Sequence, residues 1–277
     1  MSPLEYSPLR FGFITDIHHI LSEEPEAALQ KAALLRQCTG NWQEKDVRFV
    51  VQLGDLISEE GPEAEPALEE VRSMLKEFPG RMIHVPGNHC LAVPLDRYMT
   101  MMGMFSPYFS FCVDGFRFLV LNGMDVSVLS EPDNAFDRHL LEYYREIAPA
   151  YCGAIGEKQL AWLTGELETS AGNNEQIVVF CHLPLLPETT DEKHGLLWNH
   201  EAVTAILHRF SNVKACFGGH YHPGGYACRS GIHFIVLPAF AACSLNPGSC
   251  CGTIEIAHGR IRVLNLRNEE RYNLIIV

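Results

Sequence analysis

Five short polar clusters, each set directly behind an apolar run, constrain this chain more than any other feature. The runs are residues 11–15, 49–53, 82–85, 177–181 and 213–217, and each reads as a buried strand. The clusters behind them are Asp16-Ile17-His18, Gly54-Asp55, Gly87-Asn88-His89, His182 and Gly219-His220-Tyr221-His222. Charged groups and imidazoles are costly beside a core unless something compensates them. Five repetitions drawing only on Asp, Asn and His point to a hard or borderline metal such as Mn, Fe or Zn. They do not point to a thiolate site.

Helical patterns fill the gaps. Residues 24–39 carry Ala28, Ala32 and Leu35 at helical spacing, with Gly40 as a stop signal. Residues 63–77 repeat the pattern through Leu68, Val71 and Leu75, residues 156–168 through Leu160, Leu163 and Leu167. Residues 199–210 follow through Val203, Ile206 and Leu207, with Asn199 placed as an N-cap. Alternating strands and helices at the start suggest βαβ crossovers. Further on, residues 109–113 and 116–121 flank Asp114-Gly115, a two-residue hairpin signal. The tail offers strands at 233–237, 253–257 and 260–266, with His258-Gly259 as another tight turn. The expected architecture is α/β, two mixed sheets packed face to face with helices outside. No repeat or linker splits the chain, so residues 1–277 are expected to form a single domain.

The net charge of −13 argues against a nucleic-acid polymer as partner, because phosphate backbones are held by Lys and Arg. A small anionic substrate is compatible with it, since bound cations invert the local potential. Residues 1–10 lack a basic start followed by an apolar stretch, so no signal peptide is expected. No apolar segment approaches the ~20 residues that span a bilayer, so no membrane partner is expected. The ten cysteines are scattered and include no C-x-x-C; Cys181 and Cys216 lie inside strand patterns. Free thiols in a reducing cytoplasm are the expectation, with the Cys250-Cys251 pair a surface coincidence. Nothing in the sequence fixes the oligomeric state.

Ligands in open α/β sheets gather at the carboxyl ends of strands, where loops converge. Every cluster sits at such an end. Asp16, His18, Asp55, Asn88, His182, His220 and His222 supply seven side-chain donors. One ion rarely needs seven; two ions sharing a carboxylate use them all, and Asp55 is the natural bridge. Two cations ~3.5–4 Å apart could activate a bridging water and neutralise phosphoryl oxygens during in-line displacement.

The series D-x-H, GD, GNH, H and GHxH across residues 16–222 resembles the calcineurin-like metallophosphoesterase superfamily. The resemblance implies an α/β/β/α sandwich. It also implies one metal held by Asp16, His18, Asp55 and His222, and a second held by Asp55, Asn88, His182 and His220. Asp55 and His89 would be catalytic, with Asn88 and His89 beside the phosphate and His89 stabilising charge or protonating the leaving oxygen. Residues 115–121, 125–129, 156–163, 182–184, 197–199 and 220–226 are similar to the manganese-dependent ADP-ribose/CDP-alcohol diphosphatase branch. That implies two divalent ions, Mn first with Fe, Zn or Mg as alternatives, and hydrolysis of a phosphoanhydride or phosphodiester in a nucleotide-derived small molecule by a metal-bridging hydroxide. Two positions depart from the branch: His18 stands where Gln is common, and Cys90, expected near the rim of the site, where Glu is common.

Segments near 91–108 and 183–198 are expected to wall the substrate site. Trp198 is a candidate for stacking on a base, with a partial-core role as the plainer alternative. The run from Met99 to Phe105 reads as gap-filling methionines or a lid. His19 should point away from the ligands, because side chains alternate along an extended segment. His84, His139, His200, His208, His233 and His258 are expected in ordinary surface or core positions. A phosphomonoesterase or cyclic-nucleotide phosphodiesterase with the same metals is the second enzymatic reading. A non-catalytic interaction module on the same fold is the reading from another class.

Overall fold

Alternation along the strands sets the layering. The computed structural model describes residues 8–191, 193–244 and 248–276. Its strands are β1 (Leu9–Ile14), β2 (Val50–Gln52), β3 (Met82–His84), β4 (Phe109–Val113), β5 (Phe116–Leu121) and β6 (Gln176–Cys181). Then come β7 (Val213–Gly218), β8 (Gly225–Arg229), β9 (Ile232–Val236), β10 (Cys251–Ala257), β11 (Arg260–Asn265) and β12 (Glu270–Ile275). The helices are α1 (Pro25–Glu44), α2 (Ala64–Leu75), α3 (Leu95–Met102), α4 (Ala135–Tyr144), α5 (Glu157–Gly172) and α6 (His200–Leu207).

In β6, Val178 and Phe180 pack into one core cluster while Ile177, Val179 and Cys181 pack into another. In β1, Leu9, Phe11 and Phe13 join the first of these, and Ile14 faces Trp42 of α1 on the opposite side. Both faces of each sheet are therefore apolar, and four layers result: helices, sheet, sheet, helices. The middle layer is aromatic. Phe11 stacks on Phe49 at 4.9 Å and meets Phe118 edge-on at 5.5 Å, linking the two sheets.

One sheet runs β12-β11-β10-β1-β2-β3, the other β4-β5-β6-β7-β9-β8. β1, β2 and β3 are parallel, as are β5, β6, β7 and β9. The mixed sandwich and the Asp114-Gly115 hairpin follow the sequence expectation, with both turn residues at positive φ (49° and 82°).

Several local expectations change. Gly40 does not stop α1, which continues to Glu44; the indole of Trp42 is buried and donates to the Gly252 carbonyl at 2.9 Å. That packing outweighs the ~1 kcal/mol helix penalty of one glycine. Asn199 stands at the N-cap of α6 without capping it. Its amide instead bonds both backbone groups of Ile155, at 3.0 and 2.7 Å. The free-thiol expectation is overturned for four cysteines: Cys38 bonds Cys251 and Cys243 bonds Cys250. The vicinal pair is buried, not a surface coincidence, because β10 carries Cys251 under α1. The methionine run forms α3 and its Gly103 cap, with Met102 buried and Phe105 exposed.

Candidate metal centre

All five clusters follow parallel strands, β1, β2 and β3 in one sheet and β6 and β7 in the other, so their loops leave the same edge of the sandwich. Backbone bonds hold the loops together there. Asp16 N donates to Gly54 O at 3.0 Å, His18 N to Asp55 O at 3.1 Å and Gly219 N to His182 O at 2.9 Å. A side chain joins the two sheets: His220 N lies 3.1 Å from both Asp16 carboxylate oxygens. His89 N donates to Asp55 Oδ1 at 2.9 Å.

Four of the seven donor residues sit in the left-handed backbone region: Asp16 (φ 51°), His18 (49°), Asp55 (54°) and His220 (69°). Side-chain-bearing residues rarely adopt it, and such strain persists where surroundings over-determine it, commonly at functional sites. Glycines make the crowding possible. A Cβ on Gly87 would overlap Asp55 Oδ1, and one on Gly219 would overlap Thr15 Oγ1 and Asp16 Oδ2.

The donors form two sets linked by a third. Asp16, His18 and His222 offer ligand atoms within 4.8 Å of one another, and so do Asp55, His182 and His220. A third such group, His18, Asp55 and His89, joins the two around Asp55. Asn88 belongs with the second set, its Oδ1 lying 3.1 Å from both His182 Nε2 and His220 Nδ1. The structure thus brings all seven predicted side chains together and places His89 beside them.

Hydrogen bonds behind the rings test whether this set fits a metal. His182 Nδ1 donates to the Leu53 carbonyl at 2.7 Å, which leaves the Nε2 lone pair facing Asp55 Oδ2 at 3.2 Å and Asn88 Oδ1. His220 Nε2 donates to the His194 carbonyl at 2.8 Å, turning its Nδ1 lone pair to the same oxygen. His18 and His222 bring their Nε2 atoms to 3.0 Å of each other, with Ser58 Oγ at 2.7 Å from the other nitrogen of His18. Electron-rich atoms this close repel unless a proton or a cation lies among them. Backbone carbonyls that fix the tautomer of a ligating imidazole are the usual second layer of a metal site. The donor set fits two hard or borderline divalent ions.

The electrostatics agree. Burial alone would raise the Asp55 carboxyl, but the imidazoles of His182, His18 and His89 hold it well below the usual range. Burial works against a charged His182, yet Asp55 and Asp16 push its pKa up to about 9. His220 moves the other way, down to about 4, through burial and the neighbouring His182. The pocket's field favours positive charge near Asp55.

Other predicted site residues fare differently. Trp198 is 4% exposed, stacked on Tyr144 and donating from Nε1 to the Pro149 carbonyl, so most of it packs as core. Apolar contacts along the 183–198 loop drew it into the core. Cys90 is not at the rim: it is fully buried behind Asp55, its thiol pushed up to about 11 by burial and that carboxylate. His19 points away as expected, buried with its Nε2 3.5 Å from Glu70. His194, Leu53 and Ser58 support the imidazoles through contacts that no local sequence signal announces.

A four-layer α/β/β/α scaffold with paired carboxylates and imidazoles at its strand ends defines a metal-dependent phosphoesterase. The chain belongs to the calcineurin-like phosphoesterase family, whose sequence profile matches residues 9–224. It is 27% identical to a manganese-dependent ADP-ribose/CDP-alcohol diphosphatase of Arabidopsis thaliana, covering 92% of this chain and 93% of that one. A 3',5'-cyclic-nucleotide phosphodiesterase of a Nostoc species is 23% identical over 85% of this chain and 79% of that one. The crystal structure of a dimetal phosphatase from Danio rerio superposes with a TM-score of 0.76 at 25% identity, covering 94% of this chain and 96% of that one.

Proposed function

We propose that this chain is a dinuclear, manganese-preferring hydrolase of phosphoanhydride bonds in nucleotide-derived small molecules. One observation carries the reading: two imidazole lone pairs, an amide oxygen and a shared carboxylate converge within about 3 Å, their tautomers fixed from behind. The likeness to the diphosphatase, over nearly the whole of both chains, supports the substrate class.

Asp16, His18, Asp55 and His222 would hold one ion, and Asp55, Asn88, His182 and His220 the other. When bound, the pair would supply Lewis-acid polarisation of phosphoryl oxygens and a lowered pKa for water at the site. The chain's own residues do the rest. Asp55 orients the His89 backbone, whose ring stands 5.0 Å from that of His18 on the wall of a cleft. From there His89 can donate a proton to the leaving oxygen or stabilise its charge. The loop of residues 183–198 fixes His220 through the His194 carbonyl, so it forms one side of the site. The segment from Leu91 lines the cleft, and both belong to the one domain we propose for residues 1–277.

The cyclic-nucleotide phosphodiesterase likeness favours a second reading, phosphodiester cleavage by the same centre. A panel of ADP-ribose, CDP-choline, a cyclic nucleotide and bis-p-nitrophenyl phosphate, each with Mn, Mg, Fe and Zn, tests both. Preference for the pyrophosphates in Mn is the expected result; no metal-dependent turnover on any of the four overturns it. Among the described residues no helix is long and apolar enough to cross a membrane. The cytoplasmic expectation loses its stated ground with the two disulfides, because such bonds persist where the medium is oxidising.

A further inference from the structure

We infer that the Cys243–Cys250 disulfide is a redox clasp on one half of the metal centre. It fastens the strap that positions Asp16 and His222, so its reduction by a dithiol weakens the ion assigned to those two residues and leaves the other ion bound. The inference rests on the dinuclear reading and adds a control over one of the two ions.

The strap is the segment from Ala239 to Cys243. Three consecutive backbone N–H groups tie it to the loops that carry those residues. Ala239 N donates to His222 O at 3.0 Å, Phe240 N to Thr15 O at 2.8 Å and Ala241 N to Asp16 O at 3.0 Å. Phe240 and Cys243 are buried in the same core cluster as Ile14 and Ile17, which flank Thr15 and Asp16. Two residues past Ala241, the Cys243–Cys250 bond joins the strap to the residue before β10. That end is firm: Cys251 lies opposite Ile14 in the β1–β10 ladder and is bonded to Cys38 of α1. The Asp16 backbone, at φ 51°, needs such bracing, and the His222 side chain, 44% exposed, gains little from burial. Among the described residues, no backbone bond runs from residues 239–243 to Asn88, His182 or His220.

The chemistry is thiol–disulfide exchange. A thiolate of the dithiol attacks one sulfur and forms a mixed disulfide. The second thiol then cleaves it, leaving Cys243 and Cys250 as thiols and the reagent as a cyclic disulfide. Cys243 and Cys250 are 3% and 1% exposed, whereas Cys38 and Cys251 are completely buried, so the first bond is the one a reagent reaches. Its sequence separation of 7 also constrains the unfolded chain far less than the 213 of Cys38–Cys251. Cutting it therefore loosens the strap while the fold persists.

The test titrates MnCl2 calorimetrically into the oxidised protein, into protein reduced with dithiothreitol and desalted under nitrogen, and into the Cys243→Ser/Cys250→Ser variant. Iodoacetamide labelling read by mass spectrometry should mark Cys243 and Cys250 in the reduced protein but not Cys38 and Cys251, and circular dichroism should show the fold kept. The oxidised protein is expected to bind two Mn ions. In the other two forms one ion should bind about tenfold more weakly, the scale of lost support behind a metal ligand, and the other as before. Reoxidation should restore the affinity of the wild type and not of the double variant. His222→Ala, keeping only the ion of Asn88, His182 and His220, should bind it equally well oxidised or reduced. Unchanged Mn affinity in the reduced protein overturns the inference and leaves the dinuclear reading standing. Equal weakening of both ions, or a shift in His222→Ala, overturns the link to Asp16 and His222. A bond that dithiothreitol cuts only after unfolding overturns the redox role. An oxidised, folded protein that binds no Mn defeats the dinuclear reading and the inference with it.

Discussion

Replacing Asp55 with Asn keeps the side chain's size and an oxygen able to accept the 2.9 Å bond from His89 N, while removing one negative charge. The pocket's own field sets the scale of the effect. Burial disfavours a charged His182, yet Asp55, with Asp16 and the Leu53 carbonyl, carries its pKa from 6.5 to about 9. At 1.36 kcal/mol per pKa unit, that is about 3 kcal/mol of net preference for a single positive charge. Asp55 is the largest favourable contributor. Neutralising it should cost a divalent ion at least as much, about a hundredfold or more in Kd. Isothermal titration of the variant with MnCl2, beside a circular-dichroism melt to confirm the fold, reads this directly. Two Mn ions bound by a folded Asp55→Asn protein at the affinity of the wild type would refute the reasoning.

Three further perturbations probe separate parts of the structure. His89→Ala removes a ring and keeps the backbone donor to Asp55; both Mn ions should stay bound while kcat falls roughly 10²–10⁴-fold, the scale of a positioned acid. Gly219→Ala pushes a methyl into Thr15 and Asp16; metal analysis should show the ion nearest Asp16 lost and the other retained. His84 lies buried away from the cleft, and burial, with Arg72 nearby, pushes its pKa down to about 4. The unfolded chain takes up that proton below about pH 6.5, so stability is lost as pH falls towards 4, by about 2 kcal/mol at pH 5. Denaturant titrations at pH 7 and 5 should show His84→Met losing about that much less than the wild type.

How much of this was legible in advance varies from residue to residue. The strand patterns could be read because burial on both faces leaves continuous apolar runs, and each donor cluster sat where such a run ended. Strands β8 and β12 were missed: Gly225–Arg229 and Glu270–Ile275 are edge strands, half exposed, without that signature. Helix α4 was missed for a similar reason; Asp137 is its sole buried residue. The 183–198 loop was read as a wall, but which residue does the work was not. Trp198 drew attention by its chemistry and packs mostly in the core, while the His194 carbonyl, invisible to any pattern of side chains, fixes the His220 ring.

The chain's sequence alone determined the layer order and singled out the seven side chains that meet at the strand ends, because hydrophobic periodicity and residue type are local properties. Only the tertiary structure decided which nitrogen of each imidazole faces the centre, which cysteines pair, and what lines the cleft. Those depend on groups far apart in sequence, such as His182 and Leu53 or Cys38 and Cys251, meeting at hydrogen-bond or bonding distance. No periodicity encodes such meetings; they follow from how two twisted sheets pack.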